Sequence, residues 1–164
     1  MSNSQAQTKS EVLLNRVYEI GHSGRTNELA LQRIVREAEP IALIEPLNYE
    51  YIMGAVACIR EDEVAMRKHY SNAITHHPSA PESHFNFANS LVRLGYDYEA
   101  LFQLDKALEL NTKHEAANDL KNTILDHIEE QMWADMESDT EDDLLGFCMN
   151  ATGSIEGDTS CEVT

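Results

Sequence analysis

Cysteine is scarce in this chain, and its arrangement excludes a disulfide framework. The 164 residues include three cysteines, an odd number, and no Cys-x-x-Cys pair occurs among them. Small secreted domains stabilised by disulfides carry an even, denser set of cysteines. The cysteine content therefore predicts a protein of a reducing compartment.

Basic residues are also few. The chain has 12 Lys and Arg against 29 Asp and Glu, a net charge of −17, and 11 of the acidic residues lie in 129–164, where no Lys or Arg occurs. Nucleic acids and anionic membrane surfaces are bound by clustered positive charge, which no stretch of this sequence provides. We expect neither as a partner.

Long apolar runs are absent from the sequence. No segment approaches the roughly 18 consecutive apolar residues that a membrane-spanning helix needs. The first ten residues are polar and lack the apolar core of a secretory signal. Together with the cysteine content, these features predict a cytoplasmic location.

The sequence also lacks the short motifs that mark common catalytic sites. Gly-x-Ser-x-Gly, a glycine-rich phosphate loop and His-Glu-x-x-His do not occur. Seven histidines are present, but His76 and His77 are neighbours that would diverge by about 100 degrees on a helix and could not chelate a metal together. We therefore expect no enzyme activity, no metal and no cofactor.

A helical pattern that occurs twice is the main positive feature. In residues 81–114, apolar and small residues recur at i, i+3, i+4 and i+7 in two segments separated by Leu94-Gly95. Glycine there would close the first helix, because it adopts the left-handed conformation at little cost. Residues 47–80 repeat the pattern at a period of 34 residues. An antiparallel helix pair of this kind needs stacked neighbours to bury its apolar face.

The repeated segment resembles the tetratricopeptide repeat (TPR), a 34-residue helix–turn–helix unit. In the second copy Ala100 and Ala107 match the family pattern, whereas His84, Phe87-Ala88, Leu91 and Thr112 depart from it. The first copy matches the family pattern at other positions, namely Met53-Gly54, Tyr70, Ala73 and Pro78. It departs from the pattern at Met66, where a small residue is expected.

The flanks complete an all-α solenoid of about three antiparallel helix pairs. Residues 1–8 are predicted to be disordered, 9–46 a degenerate repeat, 47–80 and 81–114 repeats, 115–135 a capping helix, and 136–164 a flexible acidic tail. Pro40 and Pro46 bracket a loop or a single turn. Near the start of the tail, Met132 and Trp133 belong either to the end of the capping helix or to a disordered acidic segment that folds on a partner.

The resemblance implies binding of a protein or peptide in the concave groove, which the first helix of each pair lines. The predicted groove residues are Asn48, Tyr51, Ala55, Cys58, Phe85, Asn89, Val92 and Arg93. Tyr51 and Phe85 would form an aromatic ladder for an apolar peptide, and Asn89 would bind its backbone. In the alternative, both aromatic side chains pack under the N-terminal helices or in a dimer.

A non-catalytic adaptor is thus the predicted function. The chain is also similar in size, charge and architecture to the class II chaperones of bacterial type III secretion, which hold an apolar client in a TPR groove. A homo-oligomeric structural protein, for example a homodimer, is the third hypothesis. Co-chaperones that grip acidic peptide ends are disfavoured, because Asp119 and Asp126 lie where such ends would be repelled.

Overall fold

The computed structural model describes residues 8–24 and 27–150, and side chains within these ranges as far as residue 136. In these residues the fold is all-α, as predicted, with adjacent helices packed antiparallel and no strand. The helices are α1 (Lys9–His22), α2 (Glu28–Ala38), α3 (Pro46–Ile59), α4 (Glu63–His76), α5 (Pro81–Arg93), α6 (Asp97–Leu110) and α7 (Glu115–Asn150). A 3₁₀ helix, Glu39–Leu43, follows α2 where a loop or single turn was expected.

Local sequence signals account for where the helices begin. Thr8 caps α1 in a capping box with Glu11, and the side chains of Asn27 and Asp62 accept hydrogen bonds from backbone N–H groups that open α2 and α4. Pro46 and Pro81 occupy the first positions of α3 and α5, where a missing N–H group costs nothing. The turn after α5 places Gly95 at φ +82°, a conformation that favours glycine.

Each repeated segment forms one helix pair. Helix α3 packs on α4, α5 packs on α6, and α4 also contacts α5, so that the two pairs stack. The interior between them contains Tyr70, whose ring stacks on Phe87 at a centroid distance of 5.3 Å. Small residues allow the helices to approach, since Ala73, Ala88, Ala100 and Ala107 are fully buried.

Helix α1 packs directly on α3 and completes a second part of the core. Leu13 and Val17 of α1 are buried against Ile52 and Val56 of α3. The 3₁₀ helix and α2 close the same cluster, whose remaining buried members are Leu31, Ile34, Ala38, Ile41, Ala55 and Ile59. Because α1 lies on α3, part of the α3 surface that was predicted to be open is covered.

The described residues form two compact units, one ending at Ile124 and the other beginning at Leu125. Helix α7 belongs to both units and continues to Asn150. The capping helix was predicted to end near residue 135, with a flexible tail from 136, but the helix has no break at this position. No proline occurs in this stretch, and its first glycine is Gly146. The predictions for residues 1–7 and 151–164 lie outside the described residues. None of the described helices combines the length and the apolar character that crossing a membrane requires.

Candidate binding cleft between helices α1, α3 and α5

A cleft of about 230 Å³ lies where α1, α3 and α5 meet. Each of the three helices contributes side chains from its last turns. The lining residues are Tyr18, Gly21, His22, Ala55, Cys58, Ile59, Asn89, Ser90, Val92 and Arg93. The cleft therefore spans the first helices of three successive helix pairs.

Two hydrogen bonds join α1 to α5 across α3. The Tyr18 hydroxyl donates to Oδ1 of Asn86 at 3.1 Å, and Nη1 of Arg93 donates to the backbone carbonyl of Gly21 at 3.0 Å. A β-carbon at position 21 would lie 3.4 Å from Nη1 of Arg93, which is ordinary van der Waals contact, so Arg93 packs closely on the end of α1. These bonds fix the relative positions of the helices that form the cleft walls.

The floor of the cleft is uncharged at neutral pH. Burial raises the pKa of Tyr18 to about 12, although the nearby Asn89 side chain opposes the rise. Burial also raises the pKa of the Cys58 thiol, whose Sγ lies 3.5 Å from the carbonyl oxygen of Ser90. Arg93 is exposed and supplies a positive charge at the rim. The cleft thus combines an apolar, neutral floor with hydrogen-bond donors at its edge.

Five of the predicted groove residues come together in this cleft, namely Ala55, Cys58, Asn89, Val92 and Arg93. Ala55 and Cys58 are each 3% exposed and belong to the floor. Asn89 and Val92 are half-buried. Only the α5 residues of the predicted set are therefore placed to meet a ligand side chain.

The other three predicted residues lie elsewhere. Asn48 donates hydrogen bonds to Glu45 at 2.7 Å and to Ser10 at 3.2 Å, and this polar cluster ties the start of α3 to α1. Ser10 and Asn48 together lower the pKa of Glu45, so its carboxylate is the form that the cluster favours.

The prediction that Tyr51 is an exposed aromatic is wrong. Its side chain is 5% exposed, and its hydroxyl lies 2.8 Å from Oγ of Ser83. Burial raises the pKa of Tyr51 to about 12. Phe85 is half-buried, and its ring packs against His114 with a centroid distance of 4.9 Å. The two aromatic rings therefore do not form an exposed ladder, because Tyr51 is enclosed between the helices.

Sequence reasoning missed the contribution of α1. Tyr18, Gly21 and His22 line the cleft, yet the 34-residue frame that aligned α3 with α5 does not extend to α1. A tyrosine three residues before a glycine at the end of an apolar helical pattern was the available signal. That signal is weak, because tyrosine is intermediate in burial and its position alone does not separate a core residue from a binding residue.

Among the residues with described side chains, no three His, Cys, Asp or Glu side chains cluster closely enough to hold a metal ion.

The chain was also compared with known proteins. No protein-family model matches it. No curated protein shows significant similarity to it either.

Proposed function

We propose that this protein is a TPR-type adaptor that binds a segment of a partner protein in the cleft between α1, α3 and α5. The repeat pattern supports the fold part of this proposal. Helices α4 and α6 begin at Glu63 and Asp97, 34 residues apart (97 minus 63), and each packs on the helix before it. Helices α1 and α2 supply the degenerate first pair, and α7 follows the last.

The observation that carries the binding part is the position of the cleft. It lies on the first helices of three successive pairs, which is the surface that TPR stacks use for partners. Its volume of about 230 Å³ is below the range of roughly 300–1,000 Å³ typical of sites for drug-sized ligands. A cleft of this size fits one apolar side chain of a longer segment, which is how anchor residues bind in protein interfaces.

Polar groups around the cleft suit the backbone of such a segment. Asn89 is half-buried and offers both an amide donor and an acceptor, and the Arg93 guanidinium retains donors beyond the one that Gly21 accepts. An extended peptide carries unpaired N–H and C=O groups that need partners of this kind when they leave water. The occupant is thus a segment with an apolar anchor and an accessible backbone.

A peptide-display selection against the purified chain tests the proposal. Selected peptides are then measured by fluorescence anisotropy against wild type, Val92→Glu and Val64→Glu. Val92 is half-buried in the cleft wall, whereas Val64 on α4 is 81% exposed and is not among the lining residues. The two variants make the same chemical change at sites that differ in location and in burial, which is why helicity is measured for both.

We expect Val92→Glu to weaken binding at least about tenfold, because a carboxylate would be desolvated next to an apolar anchor. Val64→Glu should bind as wild type does, and circular dichroism should show equal helicity for all three proteins. Failure to enrich any peptide, or equal affinity of Val92→Glu, would contradict the proposal. If sedimentation shows instead a dimer that dissociates only in Val92→Glu, the occupant is a second copy and the homo-oligomer hypothesis is preferred.

A further inference from the structure

Helix α7 presents an exposed apolar stripe that the proposed function does not use. Between Leu125 and Met136, four large apolar side chains are strongly exposed: Leu125 at 45%, Met132 at 61%, Trp133 at 60% and Met136 at 59%. With about 100 degrees of rotation per residue, they and Ile128 fall within roughly 140 degrees of the helix circumference. Several exposed apolar residues on one helix face are typical of a partner-binding surface.

Acidic side chains lie beside this stripe and, at Glu129, within it, because residue 129 falls between Met136 and Trp133 on the helix circumference. Asp126, Glu129 and Glu130 are exposed on the same helix segment, and residues 125–164 contain no Lys or Arg. The local field around the apolar stripe is therefore negative, and no basic residue of the same segment neutralises it. This arrangement limits which molecules can cover the stripe.

Charge argues against three occupants. A second copy of α7 would bring the same acidic side chains together, and like charges at a helix interface are unfavourable. The segment 151–164 carries three acidic residues and no Lys or Arg, so it offers no complementary charge. An anionic lipid surface would be repelled for the same reason.

We propose that the stripe formed by Leu125, Ile128, Met132, Trp133 and Met136 binds a basic amphipathic helix of a partner protein. The apolar face of such a helix would cover the methionine and tryptophan side chains, which adapt well to helical ligands because methionine is flexible and tryptophan is large. Its Lys and Arg residues would lie beside Glu129 and Glu130. This interaction uses a different surface from the cleft and does not depend on the cleft being a binding site.

Trp133 makes the interaction directly measurable, because it is the only tryptophan of the chain. The probe is a synthetic 18-residue helical peptide with leucine on one face and lysine on the other, titrated into the full-length protein. Two further peptides serve as controls, one with glutamate in place of every lysine and one with the same lysines but serine in place of every leucine. We expect a blue shift of Trp133 emission with the leucine–lysine peptide alone, since only that peptide both buries the indole and complements the charge.

Variants assign the binding to the stripe. Met132→Gln with Met136→Gln removes apolar area while keeping helix propensity, because Gln and Met are similar helix formers. Leu29→Gln with Val64→Gln makes a comparable change at two other exposed apolar residues, which are 72% and 81% exposed on α2 and α4. We expect the methionine variant to bind at least about tenfold more weakly and the control variant to bind as wild type does. Glu129→Gln with Glu130→Gln should weaken binding and reduce its dependence on salt.

Several results would overturn the proposal. These are no emission shift with the leucine–lysine peptide, an equal shift with the serine–lysine peptide, or equal affinity of the methionine variant. A blue shift produced by anionic vesicles or by raising the protein concentration alone would show that the stripe meets a membrane or a second copy instead. Val92→Glu serves as a further control, because loss of peptide binding in that variant would move the interaction to the cleft.

Discussion

The ring of Tyr70 on α4 lies directly against Gly54 on α3. A β-carbon built on residue 54 would be 2.8 Å from both Cε2 and Cζ of Tyr70, well inside van der Waals contact. Tyr70 is fully buried, and its hydroxyl lies 2.9 Å from Oγ of Ser90 on α5. One tyrosine therefore sets the spacing between α3 and α4 and also connects α4 to the next pair.

Gly54→Ala should destabilise the protein despite the better helix propensity of alanine. The propensity gain is about 0.5–1 kcal/mol, whereas forcing an extra methyl group into a packed core costs about 1–3 kcal/mol. We expect a net decrease of about 1–2 kcal/mol in the free energy of unfolding, measured by urea denaturation. In a Tyr70→Leu background the same change should cost less, because the ring is gone. An equal cost in both backgrounds would show that Tyr70 is not the cause.

Tyr18→Phe should loosen the contact between α1 and α5. The variant removes the donor that satisfies Oδ1 of Asn86, a side chain that is 8% exposed. Loss of one partner of a buried hydrogen bond costs about 1–3 kcal/mol. The matched control is Tyr98→Phe, since Tyr98 is 76% exposed on α6 and its change should alter the free energy of unfolding by less than about 0.5 kcal/mol. Equal stability of the two variants would mean that the α1–α5 bond contributes nothing.

Helix content and helix pairing could be predicted from the sequence because both follow from local rules. The spacing of Phe87, Ala88 and Leu91 fixed one apolar face, and Leu94-Gly95 marked the end of the helix that carries it. The same pattern also occurs twice at a fixed period of 34 residues, so each copy supports the helix assignment of the other. These signals depend on residues close in sequence, so tertiary structure had little opportunity to override them.

The cleft was predicted only in part because its shape depends on α1. The repeat pattern placed Asn89, Val92 and Arg93 on one face of α5, and all three line the cleft. It could not show that Tyr51 would be enclosed, since that depends on the Tyr51–Ser83 contact between α3 and α5. Nor could it show that Tyr18 reaches Asn86, 68 residues away. Such contacts between distant residues have no signature in local spacing.

The buried tyrosines should make the protein sensitive to alkaline pH. Burial raises the pKa of Tyr18 and Tyr51 to about 12, and it raises the pKa of Tyr70 well above its ordinary value. The unfolded tyrosine loses its proton near pH 10. Between pH 10 and 12 the folded state thus binds more protons than the unfolded state, and the free energy of unfolding falls as pH rises.

For each tyrosine whose pKa is raised from 10 to about 12, the free energy of unfolding should fall by on the order of 2–3 kcal/mol. This decrease is complete only above about pH 12. Thermal unfolding measured from pH 8 to pH 11.5 should show a constant midpoint up to about pH 9.5 and a decrease above it. In Tyr51→Phe the decrease should be shallower, although the variant starts from a lower midpoint. If the midpoint decreases equally steeply with pH in both proteins, Tyr51 does not contribute to the alkaline sensitivity.

Cys58 should react slowly with thiol reagents in the folded protein. Its side chain is 3% exposed, and burial raises the pKa of the thiol, so both access and thiolate population are reduced. The measurement uses a Cys148→Ser, Cys161→Ser background, in which Cys58 is the only thiol, and follows the release of thionitrobenzoate at pH 8.

The matched control moves the thiol to an exposed site by Cys58→Ser with Val64→Cys, since residue 64 is 81% exposed. We expect the control to react at least about a hundredfold faster, and both proteins to react alike in denaturant, because reaction of a buried thiol requires local opening. Equal rates in the folded state would show that the floor of the cleft opens readily, and the cleft would then be a transient feature of the fold.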